Sequence, residues 1–469
     1  MSIYIFTLLV GYELSGVDHA IGKLHAFFKK TEAPLKYVFS EIPSNEALKR
    51  YTDMGIDWED IICAQFSVAG NAFIGGAQIQ TQEHHSNNKL VFLEAATDRP
   101  LYIDYFCETK ENSASVTLRS RRTVLRQDGS VAFDIIYDKQ NNERYVFPDG
   151  EVCSTGEFLL KSMQSFCFSE DDLIIIHRPG HMDFIEPLFL SKHNAHTLVF
   201  FHSGHEFFTG EDPYFYGLNP SYFYFLENAD KVDAILVSTN EQRNDVINAI
   251  DKYHFPKANV EALPIFGIKE RKEFTERKPF SLVTVSRLEP VKHIDLLIRA
   301  SIEVHKIIPE LILDIYGTGS AEYISMLETL IENANASSYI TLKGYCDVSD
   351  VYDNYEAYIS ASTRETLGIT LMEAISAGNA MIGFRARYGN TLFIHPDENG
   401  YLVDVDFSRL NEEHYQNHLV SELALKIQLL FEDSARLSSF HKASYALSKV
   451  YSIENIEKMW IDYIGGFKP

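Results

Sequence analysis

The chain has 469 residues, 45% of them hydrophobic, and a formal charge of -24 from 42 basic and 66 acidic side chains. That is enough apolar chain for about three domains, and the acidic excess disfavours a sequence-independent grip on nucleic acid or on an anionic membrane surface. Any anionic ligand has to meet a local cluster of cations.

The opening MSIYIFTLLVG has no basic segment before its apolar run and no small-residue cleavage site, so it reads as a first buried strand rather than a signal peptide. Behind it, YELSGVDHA places Gly16 at the start of a helix. From about Lys89 to Ser165 turn signals recur, among them Asp98 with Pro100, Asp128-Gly129, Asn141-Asn142 and Asp149-Gly150. Within this stretch VAFDIIY puts Val131, Phe133, Ile135 and Tyr137 on one strand face, and an inserted antiparallel meander is expected. DLIIIH ending at His177, TLVFFH ending at His202 and AILVST ending at Thr239 then resume the βα alternation of a parallel sheet.

After the charged, hinge-like LPIFGIKERKEFTERKP a second series follows: SLVTVS to Ser286, LILDIYG to Gly317, YITLKG to Gly344, AYISAS to Ser362, AMIGF to Phe384 and YLVDV to Val405. The expected fold is α/β, with two doubly wound halves facing each other over a cleft. Residues 1–75 plus 170–265 form the first half, 76–169 the meander, and 266–469 the second half, its last helix crossing back. The cysteines, Cys63, Cys107, Cys153, Cys167 and Cys346, are odd in number and contain no C-x-x-C pair, which points to a reduced, cytoplasmic chain without structural zinc. No apolar run reaches the ~18 residues of a membrane span.

RETLGITLMEA sets Glu365 and Glu373 eight positions apart with Gly368 between them. Composition alone supplies about nine acidic pairs at any fixed offset, so the neighbourhood has to decide. Glu365 follows a strand end, and Gly368 to Ala377 reads as a short helix closed by Gly378. The free amides of Gly368, Ile369 and Thr370 at its start, with the positive end of the helix dipole, suit a phosphate. A carboxylate on either side suits neutral hydroxylated groups, and a nucleotide sugar has that layout of ribose, diphosphate and sugar.

SRLEPVK, starting at Ser286, adds Arg287 and Lys292 around a Pro290 turn as the required cations, although a solvated loop accounts for the charges alone. Gly317 and Gly319 in YGTGS form a glycine turn that lets backbone approach a ligand, and an ordinary turn explains them too, as it does Gly16. In FFHSGH, His202 ends a strand and reads as a cleft histidine bonded to a sugar hydroxyl; its spacing to His205, without a third ligand, does not support a metal. Asp404-Val405-Asp406 has the D-x-D pattern of metal-dependent sugar transferases, but strand alternation explains it.

Together these residues resemble family 4 of the retaining, nucleotide-sugar-dependent glycosyltransferases of GT-B fold, over nearly the whole chain. Gly16, His202, SRLEPVK, YGTG and the Glu365/Glu373 pair carry the resemblance. The meander, LSGVDHA, FFHSGH and ENADKVDAILVST look most like the bacterial protein O-glycosyltransferases that modify serine-rich repeat adhesins before accessory Sec export, whose relatives glycosylate teichoic acid. The family's usual E-G-F-G is here Glu365-Thr366-Leu367-Gly368, which leaves the donor sugar open between glucose and N-acetylglucosamine; its loop glutamate is also shortened, to Asp18.

The resemblance implies that Glu373 holds the ribose, Glu365 the transferred sugar, Arg287 and Lys292 the departing diphosphate, His202 the sugar and Tyr345 the uracil, with Ser286, Gly317, Gly319, Gly368, Ile369 and Thr370 lining the donor seat. It implies no cofactor and no metal, UDP-glucose or UDP-N-acetylglucosamine as donor, and a serine-rich polypeptide as acceptor. Further expected partners are another copy of the chain, through the meander, and either the membrane or secretion machinery, and the acidic charge leaves no nucleic acid among them. A teichoic acid transferase and a non-catalytic GT-B partner subunit are the rival readings.

Overall fold

The computed structural model describes residues 1–7, 16–70, 79–84, 88–94, 97–111, 114–177, 179, 182–208, 216–269, 271 and 276–467. Strand β1 (Ile3–Phe6) leads through helix α1 (Gly16–Phe28) to β2 (Leu35–Phe39) and β3 (Ile61–Cys63). These strands are buried nearly throughout, as parallel strands covered on both faces must be. Residues 8–15, ahead of Gly16, lie outside the described residues.

The chain then builds β4 (Ile79–His84), β5 (Lys89–Glu94), β6 (Arg99–Glu111), β7 (Ala114–Leu125), β8 (Val131–Tyr137), β9 (Glu143–Val146) and β10 (Val152–Ser154). Each pairs antiparallel with the next in a seven-stranded meander. Phe133, Ile135 and Tyr137 are buried, but Val131 is 40% exposed, contrary to the expected face. It pairs with Leu125 where the register slips at the strand end, so it escapes the alternation. Inside the sheet Asp104 is buried and accepts two hydrogen bonds from Arg122, at 2.7 and 2.8 Å, which satisfies both charges.

Helix α2 (Thr155–Ser165) closes the insertion, its start fixed by a capping box between Ser154 and Glu157. Tyr145 of β9 stacks on Phe158 of this helix, and one apolar cluster joins them to Phe6, Val38 and Ile174, so the meander shares a core with the first sheet.

The first sheet resumes with β11 (Leu173–Ile176) and β12 (His196–Phe200). A hairpin follows, β13 (Glu206–Phe208) and β14 (Tyr216–Leu218), then β15 (Ala234–Val237), α3 (Asn240–Lys252) and β16 (Val260–Ala262). Its order is β16-β15-β12-β11-β1-β2-β3, all parallel, with the direction of winding reversing between β1 and β11.

The second half contains β17 (Lys278–Val285), β18 (Ile312–Tyr316), β19 (Ile340–Gly344), β20 (Tyr355–Ser360), helix α4 (Ile369–Ser376), β21 (Ala380–Phe384) and β22 (Gly400–Val403). Its parallel order is β19-β18-β17-β20-β21-β22, and the winding reverses between β17 and β20. A ligand crevice belongs at the carboxyl ends of those two strands.

The final helix α5 (Ile453–Gly465) returns to the first half. Trp460 is buried between Phe28 and Phe200, and its Nε1 donates to the carbonyl of Pro264 at 2.8 Å. Ile268 of the connecting segment is bonded on both sides of Ser452, donating to Tyr451 O at 2.9 Å and accepting from Ile453 N at 3.0 Å. The two crossings between the halves are thereby tied together.

Candidate functional site

The loops after β17 and β20 meet at the reversal point of the second sheet. Pro290 starts a single tight turn, Pro290–Lys292, and Val291 O accepts both the amide and the hydroxyl of Thr363 at 3.2 Å. This locks one loop to the other and brings Lys292 to Glu365: Nζ donates to Oε1 at 2.6 Å and lies 3.3 Å from Ser362 Oγ. The two side chains are 13% and 17% exposed, so the pair is largely covered but still reached by solvent.

Three residues further on, Gly368 caps α4 in the left-handed region (φ 77°). A side chain there would bring its Cβ to 2.7 Å from Leu371 Cδ1. The positive φ is how the chain turns from the Glu365 loop into the helix, and glycine adopts it without strain. The first helical bond runs from Met372 N to Gly368 O, at 3.0 Å. Among the described residues no group of the chain accepts from the amides of Ile369, Thr370 or Leu371, the free donors that make a helix start attractive to phosphate. Tyr358 supports this turn from below: its hydroxyl reaches Val285 O at 3.2 Å and Thr370 Oγ1 at 2.9 Å.

Glu373 lies one turn into α4, where Tyr352 donates its hydroxyl proton to Oε2 at 2.8 Å. Burial pushes the Glu373 carboxyl above the usual range, opposed by that hydrogen bond and by the charges of Arg271 and Lys23. Lys23 belongs to α1, so a cation of the first half is felt by a carboxylate of the second. Arg271 is itself held by Asp353 at 2.8 Å.

The glycines of YGTG lie against the chain's own backbone. Gly317 has φ 134°, and a Cβ there would lie 1.8 Å from Ser286 O. At Gly319 the clash would be with Leu288 O, at 1.9 Å. The backbone they admit is the chain's own: Ser286 N donates to Tyr316 O at 3.1 Å and Leu288 N to Thr318 O at 2.7 Å. Through these bonds the glycines shape the SRLEPVK loop.

Arg287 is far more exposed than Lys292 and pairs with Glu289 at 2.6 Å. Tyr345, after β19, is 86% exposed. Neither is gathered in with the Lys292–Glu365 pair in this conformation. Asp404 and Asp406 lie beyond β22, which ends at Val403 rather than Val405. Asp404 bonds Arg385 at 2.5 Å, and Asp406 caps the next turn by accepting from Ser408 N at 3.1 Å, so capping ended the strand early.

In the first half His202 follows β12, stacked on Phe200 and 4.4 Å, centroid to centroid, from His177 at the end of β11. Gln242, fully buried on α3, pins this loop by donating to the carbonyls of Phe201 and Ser203 at 3.1 and 3.0 Å. Gly16 opens α1. His177, Tyr352, Tyr358 and Arg271 escaped the sequence reading. His177 alone had a visible signal, a histidine closing an apolar strand just as His202 does.

This crevice has the parts to seat a diphosphate between two hydroxyl-reading carboxylates. Residues 267–444 match the glycosyl transferases group 1 family. Over 98% of both chains, the sequence is 30% identical to the UDP-N-acetylglucosamine–peptide N-acetylglucosaminyltransferase GtfA subunit of Streptococcus pneumoniae serotype 4. The chain belongs to the GtfA family of glycosyltransferases. Its fold is GT-B: the pneumococcal O-GlcNAc transferase GtfA, solved with UDP and GlcNAc, superposes with a TM-score of 0.77 at 28% identity, covering 100% of this chain and 99% of that one. A GtfA/B complex superposes with a TM-score of 0.82 at 26% identity, again covering 100% and 99%.

Proposed function

We propose that this member of the family transfers N-acetylglucosamine from UDP to serine or threonine hydroxyls of a serine-rich repeat polypeptide, with retention at the anomeric carbon and without a metal ion. The observation that carries this reading is the Lys292–Glu365 pair at 2.6 Å, set beside the free amides of α4 with Glu373 one turn beyond. Similarity to GtfA along the whole length supports N-acetylglucosamine over glucose and polypeptide over a polyol-phosphate polymer.

In the mechanism, the amides of Ile369 and Thr370 and the ammonium of Lys292 hold the diphosphate, and Arg287 swings in from its surface pair with Glu289. They stabilise the charge that grows as the bond from the anomeric carbon to the UDP oxygen breaks. Glu365, poised by Lys292, accepts hydrogen bonds from the sugar hydroxyls, and Glu373, held by Tyr352, accepts those of the ribose. His202 orients the sugar from the other side of the cleft, and Tyr345 closes over the uracil. The acceptor hydroxyl attacks on the face that UDP leaves, and its proton passes to a donor phosphate oxygen. Neither carboxylate forms a covalent bond.

We place the polypeptide, and contact with a second GT-B subunit or another copy, on the meander, a reading supported by the likeness to a GtfA/B complex. Among the described residues no helix is long and apolar enough to cross a membrane, and we assign the chain to the cytoplasm, at the membrane only through partners.

Radiolabelled UDP-N-acetylglucosamine and UDP-glucose, each offered to a Ser/Thr-rich peptide and to teichoic acid, test the assignment. Label from UDP-N-acetylglucosamine in the peptide is expected. Label only in the polymer would replace the acceptor, and label only from UDP-glucose would replace the donor.

A further inference from the structure

The first turns of α3 touch both functional loops at once. On its buried side Gln242 holds the His202 loop through the carbonyls of Phe201 and Ser203. On its cleft side Asp245 accepts Arg387 Nη1 at 2.6 Å, and Glu241 accepts the hydroxyl of Thr391 at 2.7 Å, with Arg387 Nε 3.8 Å away. Glu241 and Asp245 are four apart and share that face of the helix.

Arg387 and Thr391 belong to the segment that grips the backbone of Glu365. Glu365 N donates to Arg387 O at 3.3 Å, and Glu365 O accepts from the amides of Tyr388 and Gly389 at 2.5 and 2.7 Å. The same segment abuts the start of α4: a Cβ on Gly389 would lie 2.5 Å from Leu367 O and 3.1 Å from Gly368 N. Glu365 therefore cannot shift along its loop unless residues 387–389 shift with it, and those residues are moored to the opposite half. Asp245 is 17% exposed but Arg387 is 63% exposed, so solvent screens this ion pair and the Glu241–Thr391 hydrogen bond shares the mooring.

We propose that Arg387 and Asp245 are positioning residues that couple closure of the two halves to the placement of Glu365, with α3 as the common mount for Glu365 and His202. The carboxylate is then registered against the acceptor side only while the halves are together. Opening, which breaks the Arg387–Asp245 pair, releases it. This inference rests on the proposed function for its kinetic consequence but not for its mechanical one.

The test uses the full chain, with Arg387→Ala and the exchanged pair Arg387→Asp with Asp245→Arg. In the absence of substrate, hydrogen exchange at the amides of Tyr388 and Gly389 should quicken by about tenfold in Arg387→Ala and return towards wild type in the exchanged pair. Turnover of UDP-N-acetylglucosamine should fall by about tenfold while the Kd for UDP changes less than about twofold, a split that general loosening of the fold would not give. Thr391→Val, which removes a hydroxyl that reaches both Glu241 and, at 2.9 Å, Tyr388 O, should quicken the same amides more mildly; Glu241→Gln, which keeps the local Tyr388 bond, should do so too, and the two are the fallback should Arg387→Ala fail to fold. Unchanged exchange in the folded variants overturns the proposal, as does an exchanged pair that folds without slowing exchange. A wild-type chain that ignores UDP-N-acetylglucosamine while the exchange still responds would refute the functional reading and support the coupling.

Discussion

Lys292 and Glu365 come from loops 73 positions apart in the chain and meet with Nζ 2.6 Å from Oε1. The pair is close-range and mostly screened from solvent, so each member fixes the other's place. On the proposed function, Lys292→Ala takes a cation from the diphosphate and Glu365→Gln takes a carboxylate acceptor from the sugar. Turnover of UDP-N-acetylglucosamine should fall at least about tenfold in each, as expected for charge stabilisation that grows in the transition state. Both side chains keep some solvent exposure, so water reaches the orphaned partner and far-UV circular dichroism should match wild type. Near-normal rates in both variants would refute the site.

Tyr352 is fully buried and holds Glu373 through one hydrogen bond. Tyr352→Phe deletes one hydrogen bond to a carboxylate, about 1.5 kcal/mol, or roughly a tenfold weaker Kd for UDP. On the proposed function the ribose is held alike in the ground and transition states, so kcat should stay within about twofold. Titration calorimetry with UDP beside steady-state rates separates the two; a loss confined to kcat would move Tyr352 into the chemistry.

The direction of the Glu373 shift gives a pH dependence. Burial raises its pKa, so in the free protein this carboxyl takes up a proton at higher pH than an ordinary glutamate. Ribose hydroxyls bond best to the ionised form, so UDP affinity should fall as pH drops towards and through that raised value, with a proton released on binding below it. Calorimetry at descending pH checks this. Glu373→Gln should bind more weakly and lose that part of the pH dependence, and an unchanged slope in the variant would assign it elsewhere.

Gly317 offers a test of the loop geometry. Gly317→Ala combines an unfavourable φ with a Cβ 1.8 Å from Ser286 O, so the ends of β17 and β18 have to separate. Strain at such a position costs about 1–3 kcal/mol, and the SRLEPVK loop carrying Lys292 moves with it. The unfolding midpoint should drop and UDP binding should weaken together; wild-type affinity in this variant would mean the loop position is immaterial.

Much of the fold was legible because apolar strand runs and the turn chemistry of the meander are local signals. Phe133, Ile135 and Tyr137 obey the alternation, and Val131 departs from it only where the register slips. Helix α2 was missed although Ser154 and Glu157 form the capping box that announces it. At the site, Glu365, Gly368, Lys292 and Glu373 could be picked out because their spacing follows a strand end and a helix start. Tyr352, Arg271 and Arg387 reach the same place through tertiary contacts, and nothing in their local sequence marks them. In YGTG a glycine shows that something approaches but not what, and only the structure reveals the chain's own Ser286 and Leu288 there.

The most direct test of the central claim is a crystal structure of the chain with UDP-N-acetylglucosamine. The account predicts the diphosphate on the amides of Ile369 and Thr370 beside Lys292, the ribose on Glu373 and the sugar on Glu365. A diphosphate bound elsewhere, or either glutamate turned away to solvent, would contradict it.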